Sequence, residues 1–206
     1  VAQIRPTGHL GIGHTRWATH GGVTEINAHP QVSCDGKIIL VHNGVIENSI
    51  PLKTLLESKG IKFKSDTDTE VLANLIAFHY NSLSALPKEQ RFAESVRVSL
   101  LEVQGTYGLA IVCTDCPNEL IGARKSSPLI LGVQKDGLFL ASDVSAFAGH
   151  TKDVVFLSDN EMVHVQGKHY QVQDLNSGVL EPIVQTIDWD VNFADLGPYK
   201  HYMQKE

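Results

Sequence analysis

Tyr107-Gly108-Leu109-Ala110-Ile111-Val112-Cys113-Thr114 sets the fold class, because its apolar residues recur with a period of two and the same texture continues to Asp174. Leu120–Arg124, Leu129–Val133, Leu138–Ala141, Val154–Leu157, Glu161–Val165 and His169–Asp174 read as further strands. Pro117-Asn118, Lys135-Asp136-Gly137, Asp159-Asn160 and Gly167-Lys168 separate them with turn chemistry. Upstream the period changes. Phe92 to Val103 reads as a helix with Val96, Leu100 and Val103 inward. Thr67 with Glu70 three residues on is a capping-box pattern, and Val71, Leu72, Leu75, Ile76 and His79 follow at helical spacing to about Asn81. Asn48 or Ser49 can cap a further helix with Leu52, Leu55 and Leu56 on one face, ended by Gly60. Before it, Lys37-Ile38-Ile39-Leu40-Val41-His42 is a continuous β-branched run, as in a strand covered on both faces. Asn43-Gly44 then predicts a sharp turn, and Leu10–Thr15 a short glycine-spaced strand. Strands and three helices without regular βαβ alternation indicate an α+β layered domain, antiparallel sheets with helices outside.

Composition narrows the function. The 206 residues carry 17 Lys and Arg against 23 Asp and Glu, a net −6 that argues against a general nucleic-acid footprint. Apolar runs are only a few residues long, as in Ile38–Val41, so no membrane span is expected. Three cysteines make no disulfide framework, Val1–Pro6 shows no apolar signal core, and a cytoplasmic location is expected.

Chemistry concentrates before residue 70. His14-Thr15-Arg16-Trp17-Ala18-Thr19-His20-Gly21 gathers a guanidinium, an indole, a hydroxyl and imidazoles in one short segment. Arg16 is suited to gripping a carboxylate through two parallel hydrogen bonds, although composition alone favours the plainer reading in which Arg16 pairs with a local Asp and Trp17 packs in the core. Asn43 and the Gly44 N–H could form an oxyanion hole, or an ordinary turn. Asp68 could salt-bridge an ammonium group, or only cap its helix. Five of the ten histidines lie in the first 42 residues, but no HExxH pattern accompanies them, and Cys113-Thr114-Asp115-Cys116 sits in a strand-then-turn setting with no partner pair to complete a metal site. Cys34, Cys113 and Cys116 lack the setting that activates a thiol.

Five segments in order then carry a resemblance: HTRWATHG (14–21), NAHP (27–30), HNGVIEN (42–48), SDTDTEV (65–71) and KHYMQKE (200–206). Together they resemble the glutaminase domain of the glucosamine-6-phosphate synthase family, the isomerising glutamine–fructose-6-phosphate aminotransferases, among the class II glutamine amidotransferases. Amidophosphoribosyltransferases typically have Tyr where Trp17 stands and NAQP rather than NAHP. The resemblance implies an N-terminal-nucleophile hydrolase sandwich, two antiparallel sheets between helical layers, with no cofactor and no metal. It implies that Arg16 holds the glutamine α-carboxylate and Asp68 its α-ammonium. Trp17, Thr19 and His20 would line the site, and Asn43 and Gly44 would form the oxyanion hole. In that family a first-residue cysteine is the nucleophile and its α-amino group the base.

Here Val1 stands at the start, so the expectation is a domain incomplete at its N-terminus and inactive alone. Residues 1–187 are expected to form the amidotransferase domain, and 188–206 the start of a connection to a sugar isomerase domain. The implied partners are L-glutamine and, through the isomerase domain only, fructose 6-phosphate, in a homo-oligomeric parent with neither nucleic acid nor membrane. Two alternatives stay open: another class II amidotransferase, or a non-catalytic glutamine-binding or interaction module.

Overall fold

The computed structural model describes residues 8–15, 21–147, 149–188 and 198. In chain order the elements are β1 (Gln31–Val32), β2 (Ile38–Ile46), α1 (Ser49–Ser58), α2 (Asp68–Ser82), α3 (Lys88–Glu102), β3 (Gly105–Cys113) and β4 (Cys116–Lys125). They continue with β5 (Ile130–Gln134), β6 (Gly137–Ala141), β7 (Asp153–Phe156), β8 (Glu161–Gln166), β9 (His169–Asp174), β10 (Gly178–Leu180) and β11 (Gln185–Thr186). The strands form a seven-stranded sheet, β1-β2-β3-β4-β8-β9-β10, and a four-stranded sheet, β11-β7-β5-β6. Every pairing is antiparallel.

Strand parity builds the layers. On β2, Ile38, Leu40 and Ile46 face the helices and join Leu72, Leu75, Ile76, Tyr80, Phe92 and Val96 in one core. Alternate residues of the same sheet face the second sheet, where Leu120, Val163, Val165 and Val172 meet Leu129, Leu131 and Val155. Gly122 lies in that second layer, and a Cβ there would stand 2.8 Å from Leu140 Cδ1, so its missing side chain lets the sheets close. The outer face of the small sheet is covered by Phe147 from a short 3-10 turn, Val144–Phe147. α2 lies between its neighbours and the sheet, with Val71 to Ala77 and Tyr80 all buried, which is why its sequence is apolar almost all round. Among the described residues no helix is long and apolar enough to cross a membrane.

Several expectations change. Asn43-Gly44 is not a turn: β2 runs through it, with Asn43 opposite Gly108 and Gly44 opposite Tyr107 on β3. Gly44 uses its freedom inside the ladder, at φ +137°, where a Cβ would stand 2.2 Å from the Thr106 carbonyl oxygen. Pro117-Asn118 also lies within a strand; the chain reverses at Thr114-Asp115 between β3 and β4. Pro117 precedes the first pairing of β4 with β8 at Glu119, so its missing N–H breaks no bond of that ladder. Leu10–Thr15 pairs with no strand. Leu55 is exposed on the outer side of α1, and His79 pairs with Glu102 at 2.8 Å rather than packing inward.

Candidate active site

The end of β2 and the start of α2 meet, and the local sequence explains how. The Thr67 hydroxyl accepts a hydrogen bond from the Glu70 N–H at 3.1 Å and so caps α2. The reciprocal half of a capping box is replaced. Glu70 turns back to accept from the Ser65 N–H at 2.6 Å, the Ser65 hydroxyl at 2.8 Å and the Lys64 N–H at 2.9 Å. This buried carboxylate fixes the loop that leads into Asp68. Asp68, first residue of the helix, is itself buried. Its Oδ2 accepts from the Ile46 N–H at 2.8 Å, and its Oδ1 from the Thr69 hydroxyl at 3.3 Å. A carboxylate at a helix N-terminus is also favoured by the helix dipole.

One strand carries both sides of the site. Asn43 and Gly44 lie three and two residues before Ile46, so at about 3.3 Å per residue the step stands within roughly 10 Å of the strand end that holds Asp68. Asn43 is exposed on the cleft side and His42 buried on the helix side. The His42 ring lies 3.1 Å from the Thr69 hydroxyl and 3.2 Å from the Thr106 carbonyl. That carbonyl only accepts, so Nε2 carries the hydrogen. A cleft of about 630 Å³ opens in front of Asn43, lined by His14, Val41, Gly108, Leu140 and Ser142 among others. His14 Nε2 meets Asn43 Oδ1 at 2.8 Å.

Of the site residues expected from the sequence, the structure therefore brings Asn43, Gly44 and Asp68 to one strand end. Arg16, Trp17, Thr19 and His20 lie outside the described residues. The segment that resumes after them is anchored nearby: buried Asn27 donates to the Gly22 carbonyl at 3.1 Å and accepts from the Asp66 N–H at 3.0 Å. Sequence reasoning read Glu70 only as half of a capping box, and gave Asn27 and His14 no part beyond their places in the NAHP and HTRWATHG segments.

The cysteines stand elsewhere. Burial pushes the Cys116 thiol up to about 12 and raises that of Cys113, and Cys34 sits exposed in the turn between β1 and β2. None of the three lines the cleft. Among the described residues no group of three or more His, Cys, Asp or Glu side chains is placed to hold a metal ion.

Known proteins share this sequence and architecture. A sequence profile of the glutamine amidotransferase domain matches residues 14–149. The chain is 42% identical over 199 residues to a glutamine–fructose-6-phosphate aminotransferase (isomerizing) of Clostridium acetobutylicum, covering 97% of this chain and 31% of that protein. It is 46% identical over 200 residues to the protein of that name from Thermococcus kodakarensis, covering 97% and 32%. The chain thus spans about a third of the length of the curated relatives it matches. Among solved structures, glutamine phosphoribosylpyrophosphate amidotransferase from B. subtilis, complexed with ADP and GMP, superposes with a TM-score of 0.61 at 26% identity, covering 81% of this chain and 35% of that one. A structure described as the allosteric regulatory enzyme of purine biosynthesis gives 0.62 at 28% identity, covering 79% and 34%. The fold is accordingly the α+β, N-terminal-nucleophile type sandwich expected from the sequence.

Proposed function

Because the chain belongs to the glutamine amidotransferase domain family, we propose that it is the glutamine-hydrolysing part of an isomerising glutamine–fructose-6-phosphate aminotransferase. Ammonia released from glutamine would pass to fructose 6-phosphate on a sugar isomerase domain reached through residues 188–206. The observation that carries the reading is the buried Asp68 carboxylate, held by the Ile46 N–H at the strand end that also bears Asn43 and Gly44. In this reading Asp68 receives the α-ammonium of glutamine and Arg16 its α-carboxylate, opposite charges for one zwitterion. Trp17, Thr19 and His20 line the remaining wall.

Hydrolysis in this family begins with attack of an N-terminal cysteine thiolate on the side-chain amide carbon. The carbonyl π electrons move to oxygen, and that oxyanion is where Asn43 Nδ2–H and the Gly44 N–H act. Such a donor contributes on the order of 10²–10³ in rate. Collapse of the intermediate, with the cysteine's protonated α-amino group giving its proton to the departing nitrogen, expels ammonia and leaves a thioester, which water hydrolyses to glutamate and the free thiol.

The test is made on the full-length gene product, assayed for glutamate and glucosamine 6-phosphate from glutamine and fructose 6-phosphate. Asp68→Asn is expected to raise KM for glutamine about 10- to 100-fold, the worth of one hydrogen-bonded charge. A full-length product that forms no glucosamine 6-phosphate, or an Asp68→Asn variant with unchanged KM, refutes the reading.

A further inference from the structure

An exposed asparagine side chain on a strand rotates freely unless something holds it, and an oxyanion site needs its amide turned one way only. We propose that His14 is a positioning residue that fixes the Asn43 amide with its N–H groups toward the cleft; the inference rests on the glutaminase reading above. His14 Nε2 meets Asn43 Oδ1 at 2.8 Å. A carbonyl oxygen only accepts, so His14 donates from Nε2, and the Asn43 Nδ2 hydrogens point away from that contact. The opposite orientation would present the amide oxygen, and its lone pairs, to a developing anion.

The histidine is held in its turn. Its ring lies against His29, centroids 4.5 Å apart at 48°. His29 Nδ1 accepts from the His42 N–H at 3.4 Å, so the supporting ring is tied to the same strand as Asn43. His29 thereby acquires a role that the NAHP motif alone did not indicate: it backs His14. His14 also stands at the head of the segment that carries Arg16.

The experiment measures glutamate release by the full-length gene product. His14→Ala is expected to lower kcat about 10- to 100-fold, less than the 10²–10³ of removing the donor itself, with KM for glutamine within about threefold. His14→Gln keeps an N–H donor on a shorter side chain and is expected to recover at least tenfold of that loss. In an Asn43→Ala background, His14→Ala is expected to change kcat less than about twofold, because a residue acting only through Asn43 has nothing left to orient. Losses that multiply in the double variant, a His14→Gln no better than His14→Ala, or a loss confined to KM overturns the role of His14. Wild-type enzyme that releases no glutamate, or an Asn43→Ala variant with full kcat, overturns the glutaminase reading instead.

Discussion

Replacing Glu70 by Gln is expected to cost more stability than its near-identical shape implies. Glu70 is 2% exposed, and its Oε2 accepts from the Ser65 N–H and hydroxyl while its Oε1 accepts from the Lys64 N–H. Glutamine keeps only one acceptor oxygen. With its oxygen in the Oε2 position the amide still accepts from Ser65 and from the Lys64 N–H, which reaches that oxygen at 3.1 Å, so what is lost is the charge on three hydrogen bonds, about 1 kcal/mol each. Together these come to about 3 kcal/mol, against a net stability of about 5–15 kcal/mol for a domain. The loop over Lys64–Thr67 that presents Asp68 loosens with it, so glutamine affinity should fall alongside. Urea unfolding of both proteins, followed by circular dichroism with equal slopes, gives the difference directly. A loss below about 1 kcal/mol would show that the carboxylate is not what holds this loop.

Three further outcomes are expected. Among the described residues the buried Tyr107 hydroxyl has no hydrogen-bond partner, so Tyr107→Phe should leave stability unchanged or raise it by up to about 1 kcal/mol in the same urea titration, and a clear loss would reveal a partner. An aromatic disulfide reagent at pH 7 should label Cys34 rapidly, and Cys113 and Cys116 only on unfolding, because burial holds both thiols protonated; fast labelling of all three would contradict this. Hydrogen bonds from the Ser145 hydroxyl and N–H hold the Asp143 carboxyl below its ordinary value. Its contribution is therefore present above its unfolded pKa of about 3.9 and lost as pH falls through the folded value, so the thermal deficit of Asp143→Ala at pH 7 should shrink steadily below about pH 4, and a pH-independent deficit would exclude the mechanism.

Local pattern sufficed where local physics decides. The strands from Tyr107 to Asp174 were legible because alternation reports burial on a pleated surface, and α2 because Thr67 and Glu70 mark its start. Short strands such as β1, β10 and β11 leave no period to detect. Asn43-Gly44 misleads because the dipeptide's preference for a turn is weaker than pairing with β3 on both sides of it. The site was harder for another reason. Asp68 reads as a helix cap from its neighbours alone, and its bond to Ile46 reaches across 22 residues of sequence. The contact of His14 with Asn43 spans 29, and the segments that carry it gave no sign of it beyond their resemblance to a family.

The uninterrupted pairing of β2 with β3, from Ile38 opposite Cys113 to Ile46 opposite Gly105, carries a consequence for how the molecule reaches its working form. Adjacent residues of a strand face opposite ways, so a slip by a single step would exchange His42 and Asn43. The imidazole would enter the cleft and the amide would be walled in beside Thr69. Such a species could keep its strands and much of its core and still be chemically blind. Under the glutaminase reading, whether the proposed site is assembled is thus decided when these two strands zip together. Gly44 and Gly105, each held at a backbone angle that other residues resist, act as the teeth that let only one alignment close.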